Sequence, residues 1–216
     1  VLVRHVVDVR RECGRVAQDV VFQVDGQVDE TAWHGVLQGS VDGDLLGFDQ
    51  VAATDRFGHA TPDTVDAILT EAARLSQTTL APLNRAGDLH PAVLVDGVVR
   101  TSPGFAAGFR AVADGGWIGI SASPDHGGMG LPLALATCVG EMMGSACLAL
   151  QLCPLMTQGQ IDALEHHASP QMQALYIPKL ISGQWNGTMN LTEPQAGSDV
   201  GALRTKAEPL GEGTYA

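Results

Sequence analysis

The densest group of chemically capable residues in the chain is Leu191-Thr192-Glu193-Pro194-Gln195-Ala196-Gly197-Ser198-Asp199, which combines hydroxyls, carboxylates and a glycine turn. Pro194 has a fixed φ and disfavours helix at Glu193, so the chain through Thr192 is expected to run as a strand, with the β-branched Thr192 side chain held in one direction at its end. Gly197 lets a bulky ligand come close to the backbone, and Ser198 then offers both an N–H and a hydroxyl. Donors in that arrangement suit a phosphate or a flavin edge. The same stretch also reads as a strand end and polar turn that holds no ligand.

Other residues carry rival chemistries, and each meets an obstacle. His126-Gly127-Gly128-Met129-Gly130 resembles the H-G-G-G oxyanion motif of lipases and esterases, which presents closely spaced backbone N–H groups to a developing oxyanion. That reading requires a G-x-S-x-G nucleophile elbow, and no serine in the chain has glycine at both −2 and +2. The adjacent pair His166-His167 cannot place both rings on one helical face as metal ligands at i and i+4 do, so it reads as a solvated helix end. Glu193 has the chemistry of a general base, but a capping or surface carboxylate explains it as well. Arg204 and Lys206, two apart on an expected strand, face one side and suit either a phosphate or plain solvent. No G-x-G-x-x-G or P-loop pattern occurs.

These groups need elements to position them. Thr61-Pro62 is an N-cap followed by a first-turn proline, and Val65, Ile68, Leu69, Ala72 and Leu75 recur at helical spacing, which predicts a helix ending near Pro82. Phe105, Phe109 and Val112 mark a second helix between Pro103 and the Gly115-Gly116 stop. A long buried helix follows over Leu131 to Leu152, with a shorter one after Pro154. Ser169-Pro170 repeats the cap-plus-proline start, and Met172, Leu175, Tyr176 and Leu180 form its apolar stripe. The period then changes: Thr188 to Thr192 and Leu203 to Ala207 read as strands and Gly211-Glu212-Gly213 as a hairpin turn, which would leave the edge over Leu203 to Glu208 unpaired. In the first 58 residues, Val20 to Val28 alternates around an Asp-Gly turn and Gly35 to Gly47 is rich in glycine and aspartate.

Composition narrows the class. A chain of 216 residues with 45% hydrophobic content has a core sufficient for one or two soluble domains. A formal charge of −12, from 24 acidic and 12 basic residues, argues against nucleic acid or an anionic membrane surface as partner. Cys13, Cys138, Cys147 and Cys153 form no C-x-x-C pair, and read as reduced buried thiols in a cytoplasmic protein without a zinc site. The N-terminus, broken by Arg4 and Asp8, makes a poor signal peptide. Met142 to Ile161 is apolar enough to be weighed as a membrane span, but Gln151, Pro154, Thr157, Gln158 and Gln160 dilute it, and a buried helix pair explains it better.

Met189-Asn190-Leu191-Thr192-Glu193-Pro194-Gln195-Ala196-Gly197-Ser198-Asp199 resembles the signature of the acyl-CoA dehydrogenase family. Trp117 to Gly130, with Ser123-Pro124-Asp125-His126-Gly127-Gly128-Met129-Gly130, resembles the family's Pro-Glu-x-Tyr-Gly-Gly-x-Gly turn. Tyr176-Ile177-Pro178-Lys179-Leu180-Ile181-Ser182-Gly183-Gln184-Trp185 resembles its Tyr-Leu-Pro-x-Leu-x-x-Gly-x-Trp segment. The resemblance runs from about residue 60 to 216, and Pro103-Gly104-Phe105 with Ala81-Pro82-Leu83-Asn84-Arg85 is similar to a subgroup of longer bacterial members. It departs at His126, where the family has Tyr, and over residues 1 to about 58, which match poorly.

The resemblance implies a mainly α chain: a poorly matching segment 1–58, a helical N-terminal domain 59–185, and the beginning of a middle β domain 186–216. It implies FAD-dependent dehydrogenation of an acyl-CoA thioester at Cα–Cβ. Met189, Leu191, Thr192, Gly197 and Ser198 would contact FAD, with Thr192 bonding the flavin ring and Ser198 also near the thioester. Glu193 would hold the loop. Further implications are an electron-transfer flavoprotein-like acceptor and a homo-oligomeric full-length form. The family's catalytic carboxylate belongs to a C-terminal helical domain, so no catalytic or metal-binding residue is expected here, and the chain is expected to be an N-terminal part. The alternative is a non-catalytic helical fragment or partner-binding module.

Overall fold

The computed structural model describes residues 48–212 and 214–215, so the expected Val20–Val28 hairpin and the Gly35–Gly47 stretch lie outside the described residues. A short helix α1 (Phe48–Ala52) leads to α2 (Pro62–Leu75). The start of α2 is the one the cap signal predicts: the Thr61 hydroxyl accepts from the Thr64 N–H at 3.3 Å, Pro62 needs no donor, and Asp63 meets the positive helix end. Val65, Leu69, Ala72 and Leu75 point into the core.

The helix does not stop near Pro82. Ser76–Leu80 forms a π-helical turn, closed by the Ala81 N–H donating to the Ser76 carbonyl, and α3 (Ala81–Leu89) continues from it. Pro82 thereby falls in the first turn of a new helical segment, where a missing N–H leaves nothing unpaired. Next comes a hairpin the helical reading passed over, β1 (Val93–Val95) with β2 (Val98–Arg100), antiparallel around Asp96 and Gly97, both at positive φ. α4 (Phe105–Asp114) follows and ends at Gly115 and Gly116. Two 3-10 turns, Trp117–Gly119 and Pro124–His126, lead to α5 (Leu133–His167).

α5 was expected as two helices meeting near Pro154, and it is two limbs meeting earlier. Cys147 has extended backbone (φ −156°, ψ 85°), and the chain folds back there. A Cβ on Gly140 would lie 3.9 Å from Gln151 Nε2, whereas residues so far apart on a straight helix are separated by about 16 Å, beyond any side chain's reach. Pro154 sits within the second limb and is fully buried. By length and composition α5 could cross a membrane, but this fold-back makes it a helical hairpin inside the bundle.

α6 (Pro170–Ile181) begins at Ser169, whose hydroxyl accepts from the Met172 N–H at 3.3 Å. Its expected stripe is wrong on three of four residues: Ile177, Leu180 and Ile181 are buried, while Met172, Leu175 and Tyr176 are exposed. Tyr176 leans on Trp185 instead, beneath the Lys179 ammonium at 4.0 Å from the indole centroid. One core, with Leu69, Leu80, Ile118, Leu135, Met143 and Ile177 at its centre, joins α2, the π turn, α5, α6 and the Trp117 turn. The chain is mainly helical, as expected.

The strand assignments need correction. Neither Thr188 to Thr192 nor Leu203 to Ala207 is a strand; the second hairpin is β3 (Pro209–Gly211) with β4 (Thr214–Tyr215), and its turn holds Gly211 and Glu212 at positive φ. Alternating side chains permit an extended chain, but a strand also needs a partner backbone, and none lies beside these two segments among the described residues. Arg204 and Lys206 therefore share no strand face.

Candidate functional site

The loop carrying the expected site leaves the helical bundle at Gly187, whose N–H donates to the buried Thr157 hydroxyl of α5 at 3.0 Å. Between Gly187 and Glu193 the backbone makes no backbone hydrogen bond among the described residues. It is caught again where the Glu193 N–H donates to the Ala196 carbonyl at 3.1 Å and the Ala196 N–H returns to the Glu193 carbonyl at 3.0 Å, closing a turn over Pro194 and Gln195. Ala196 anchors this turn by burial.

Glu193 is the organiser. Its Oε2 accepts from the Arg204 N–H at 3.0 Å and its Oε1 from the Thr205 N–H at 2.8 Å, and the Thr205 hydroxyl and Gln195 amide also donate to it. The Thr205 hydroxyl, then the two backbone N–H groups, hold the carboxyl down to about 2. A carboxylate so satisfied is a poor proton acceptor near neutrality, so the general-base reading of Glu193 falls and the loop-holding one stands. The same bonds occupy part of the backbone that the sequence left as an open edge at Leu203 to Glu208. Asp199 closes the far end, its carboxylate accepting from the Gly201 N–H at 3.1 Å and starting a 3-10 turn, Val200–Ala202.

Within this frame the five expected residues lie on one loop and all are exposed, Met189 by 58% and Leu191 by 43%. The Thr192 and Ser198 side chains make no hydrogen bond to other described residues, leaving both hydroxyls free for a ligand. A Cβ at Gly197 would meet nothing within 4 Å, so the protein's own packing does not demand glycine there and the space above it is open. The arrangement presents two apolar side chains, two hydroxyls and an uncovered backbone to an occupant from outside the chain.

The rival oxyanion reading fails on hydrogen bonding. The N–H groups of Gly127, Gly128, Met129 and Gly130 donate to the carbonyls of Pro124, Ser123, Gly119 and Ala122, at 3.0, 3.0, 2.9 and 2.9 Å. None is left for a substrate oxygen. This knot is structural, and Gly128 is packed so closely that a Cβ would stand 2.1 Å from the Ala122 oxygen. The second limb of α5 supports it: the Gln158 amide donates to the Trp117 carbonyl at 3.1 Å, and Glu165 Oε1 accepts from the Ser123 N–H at 2.8 Å. His166 and His167 are exposed at the end of α5, with His166 Nδ1 2.8 Å from the Asp162 carbonyl oxygen. Burial, and then Glu141, pushes the Cys138 thiol up to about 11, and burial raises Cys153, so both are unreactive thiols.

Thr157 and Thr205 are the residues that sequence reasoning missed. Both are ordinary polar residues far along the chain from what they hold, and no local pattern marks them.

Comparison with known proteins identifies the helical domain. Residues 62–184 match the description "Acyl-CoA dehydrogenase, N-terminal domain". The chain is 42% identical over 172 residues to a 3-methylmercaptopropionyl-CoA dehydrogenase of Ruegeria pomeroyi, covering 80% of this chain and 29% of the relative. It is 32% identical over 150 residues to a butyryl-CoA dehydrogenase of Syntrophomonas wolfei, covering 68% and 24%. It is 28% identical over 174 residues to a broad-specificity linear acyl-CoA dehydrogenase of Mycobacterium tuberculosis, covering 80% and 28%. The chain thus spans less than a third of the length of these relatives. With a matching helical domain and the signature loop clamped beside it, the chain belongs to the acyl-CoA dehydrogenase family.

Proposed function

We propose that the protein carrying this chain is an FAD-dependent acyl-CoA dehydrogenase, and that residues 186–216 open the β domain that forms one wall of its flavin site. The observation that carries the reading is the loop from Met189 to Ser198: clamped at both ends, apolar at Met189 and Leu191, with free hydroxyls at Thr192 and Ser198 and open space over Gly197. Those groups fit the flavin. Apolar side chains cover a ring face, a hydroxyl meets the polar ring edge, and the bare backbone at Gly197 with Ser198 suits the pyrophosphate and the thioester end.

Bound there, FAD would supply the acceptor for the hydride that leaves Cβ of the acyl-CoA as the α-proton is lost. The chain's own residues bind and orient. Thr192 donates or accepts at the flavin ring, and Ser198 positions the thioester. Glu193, locked in its four bonds, keeps both in place. The carboxylates beside the loop are engaged by backbone donors, so the α-proton is removed by a base outside this loop. An electron-transfer flavoprotein-like acceptor, a cytoplasmic location and a homo-oligomeric assembly complete the proposal.

The test is spectroscopic. The protein carrying this chain, freed of unbound flavin by gel filtration, is expected to hold stoichiometric flavin whose visible absorption bleaches on adding acyl-CoA esters. A well-folded protein without flavin would instead leave the non-catalytic helical module as the reading.

A further inference from the structure

We propose that Thr157 and Gly187 form a latch that positions the signature loop against the helical domain, making Thr157 a positioning residue of the flavin site. The inference rests on the flavin reading above. It starts from a polar side chain in an apolar place: Thr157 is fully buried in the second limb of α5. Its hydroxyl donates to the Cys153 carbonyl one helical turn back, at 2.9 Å, which directs its lone pairs away from that carbonyl. One of them receives the Gly187 N–H.

A second, independent observation lies on the other partner. Gly187 is buried, and a Cβ on it would stand 3.0 Å from the Thr157 Cα and 2.4 Å from Gln160 Oε1. The loop backbone therefore lies directly on the helix surface, and a side chain at this position would have to push it off by a few tenths of an ångström and displace the Gln160 amide. Beyond Gly187 no backbone hydrogen bond holds residues 188–192 among the described residues. The placement of Met189, Leu191 and Thr192 is thus inherited from the latch at one end and from Glu193 at the other. The limb bearing Thr157 is itself tied to Trp117 through Gln158 and to Ser123 of the Gly119–Gly130 knot through Glu165, so the latch refers the loop to that knot.

The test uses Thr157→Val, Thr157→Ser and Gly187→Ala in the full protein, with hydrogen exchange by mass spectrometry and flavin affinity as separate readouts. Thr157→Val keeps the shape and leaves the Gly187 N–H without an acceptor. Exchange of the Gly187 amide, the hydrogen-bonded one in residues 186–192, is expected to rise roughly tenfold, with α2 and α6 unchanged, and flavin Kd to weaken by about the same factor. Thr157→Ser retains the hydroxyl and should restore both, whereas Gly187→Ala should weaken flavin binding by lifting the loop. Unchanged exchange in Thr157→Val, or unaltered flavin affinity in both Thr157→Val and Gly187→Ala, overturns the latch. If the unmodified protein holds no flavin while Thr157→Val still speeds exchange of the Gly187 amide, the anchoring stands and the flavin reading falls.

Discussion

Thr192 and Glu193 are neighbours with opposite duties, one free and one fully engaged. The Thr192 hydroxyl has no partner among the described residues, so removing it should leave the fold alone and act only on a ligand. Thr192→Val is expected to weaken flavin retention by about 0.5–1.5 kcal/mol, one net hydrogen bond, with the melting temperature of the flavin-free protein unchanged. Equal flavin affinity in both proteins would take Thr192 out of the site. Glu193 should instead reveal itself through pH. Its folded carboxyl is depressed to about 2, below the ordinary value of about 4.5 that it has when unfolded. The order it confers is therefore present above the unfolded value and lost as pH falls from about 4.5 through about 2. Protection of the Arg204 and Thr205 amides, taken relative to the intrinsic exchange rate at each pH, should fall over that window in the native protein, and should already be low at neutral pH in Glu193→Gln. Slow exchange in Glu193→Gln at neutral pH would show that the backbone holds itself.

At the scale of elements, the caps and the knot carry the positioning. The paired cap-and-proline starts at Thr61 and Ser169 aim α2 and α6, while the Gly119–Gly130 knot joins α4 to α5 with six loop N–H groups consumed by its own carbonyls. Gly128 is the tightest point, because the atom a Cβ would strike at 2.1 Å is the Ala122 backbone oxygen, which no rotamer change can move. Gly128→Ala should therefore destabilise the protein by about 1–3 kcal/mol, read as a lowered urea midpoint at constant m-value. Gly127→Ala serves as a contrast: it meets no neighbour, and its cost comes only from the positive φ of 91°. If Gly128→Ala proved the milder of the two, steric closure of the knot would not be what matters.

For the whole molecule, the flavin reading makes a demand that the chain meets on one side only. Met189 and Leu191 stand open, so these residues provide a wall with nothing facing it within the described structure. A flavin site that excludes water needs cover from both sides. A protein made of these 216 residues alone is expected to fold its helices yet lose flavin on gel filtration and leave a dye unreduced with acyl-CoA esters. Retained flavin with turnover would show that the single wall suffices.

Much of this was legible in the residues because the signals were local. The caps at Thr61 and Ser169, the stop at Gly115-Gly116 and the turn at Gly211 each act within one helical turn or one hairpin, and each appears where expected. Val95-Asp96-Gly97-Val98 carries an equally local hairpin signal, an Asp-Gly turn between valines. The signature loop was found by its residue types, although not as a strand, since a strand depends on a partner that no local pattern supplies. What only the tertiary structure decided is non-local in the same sense. The fold-back at Cys147 rather than Pro154, the loss of the α6 stripe to solvent, Thr205 on Glu193 and Thr157 on Gly187 all join groups distant along the chain. Spacing sets which face a helix can bury, but the neighbours that arrive there determine which face it does bury and which hydroxyl finds a backbone to hold.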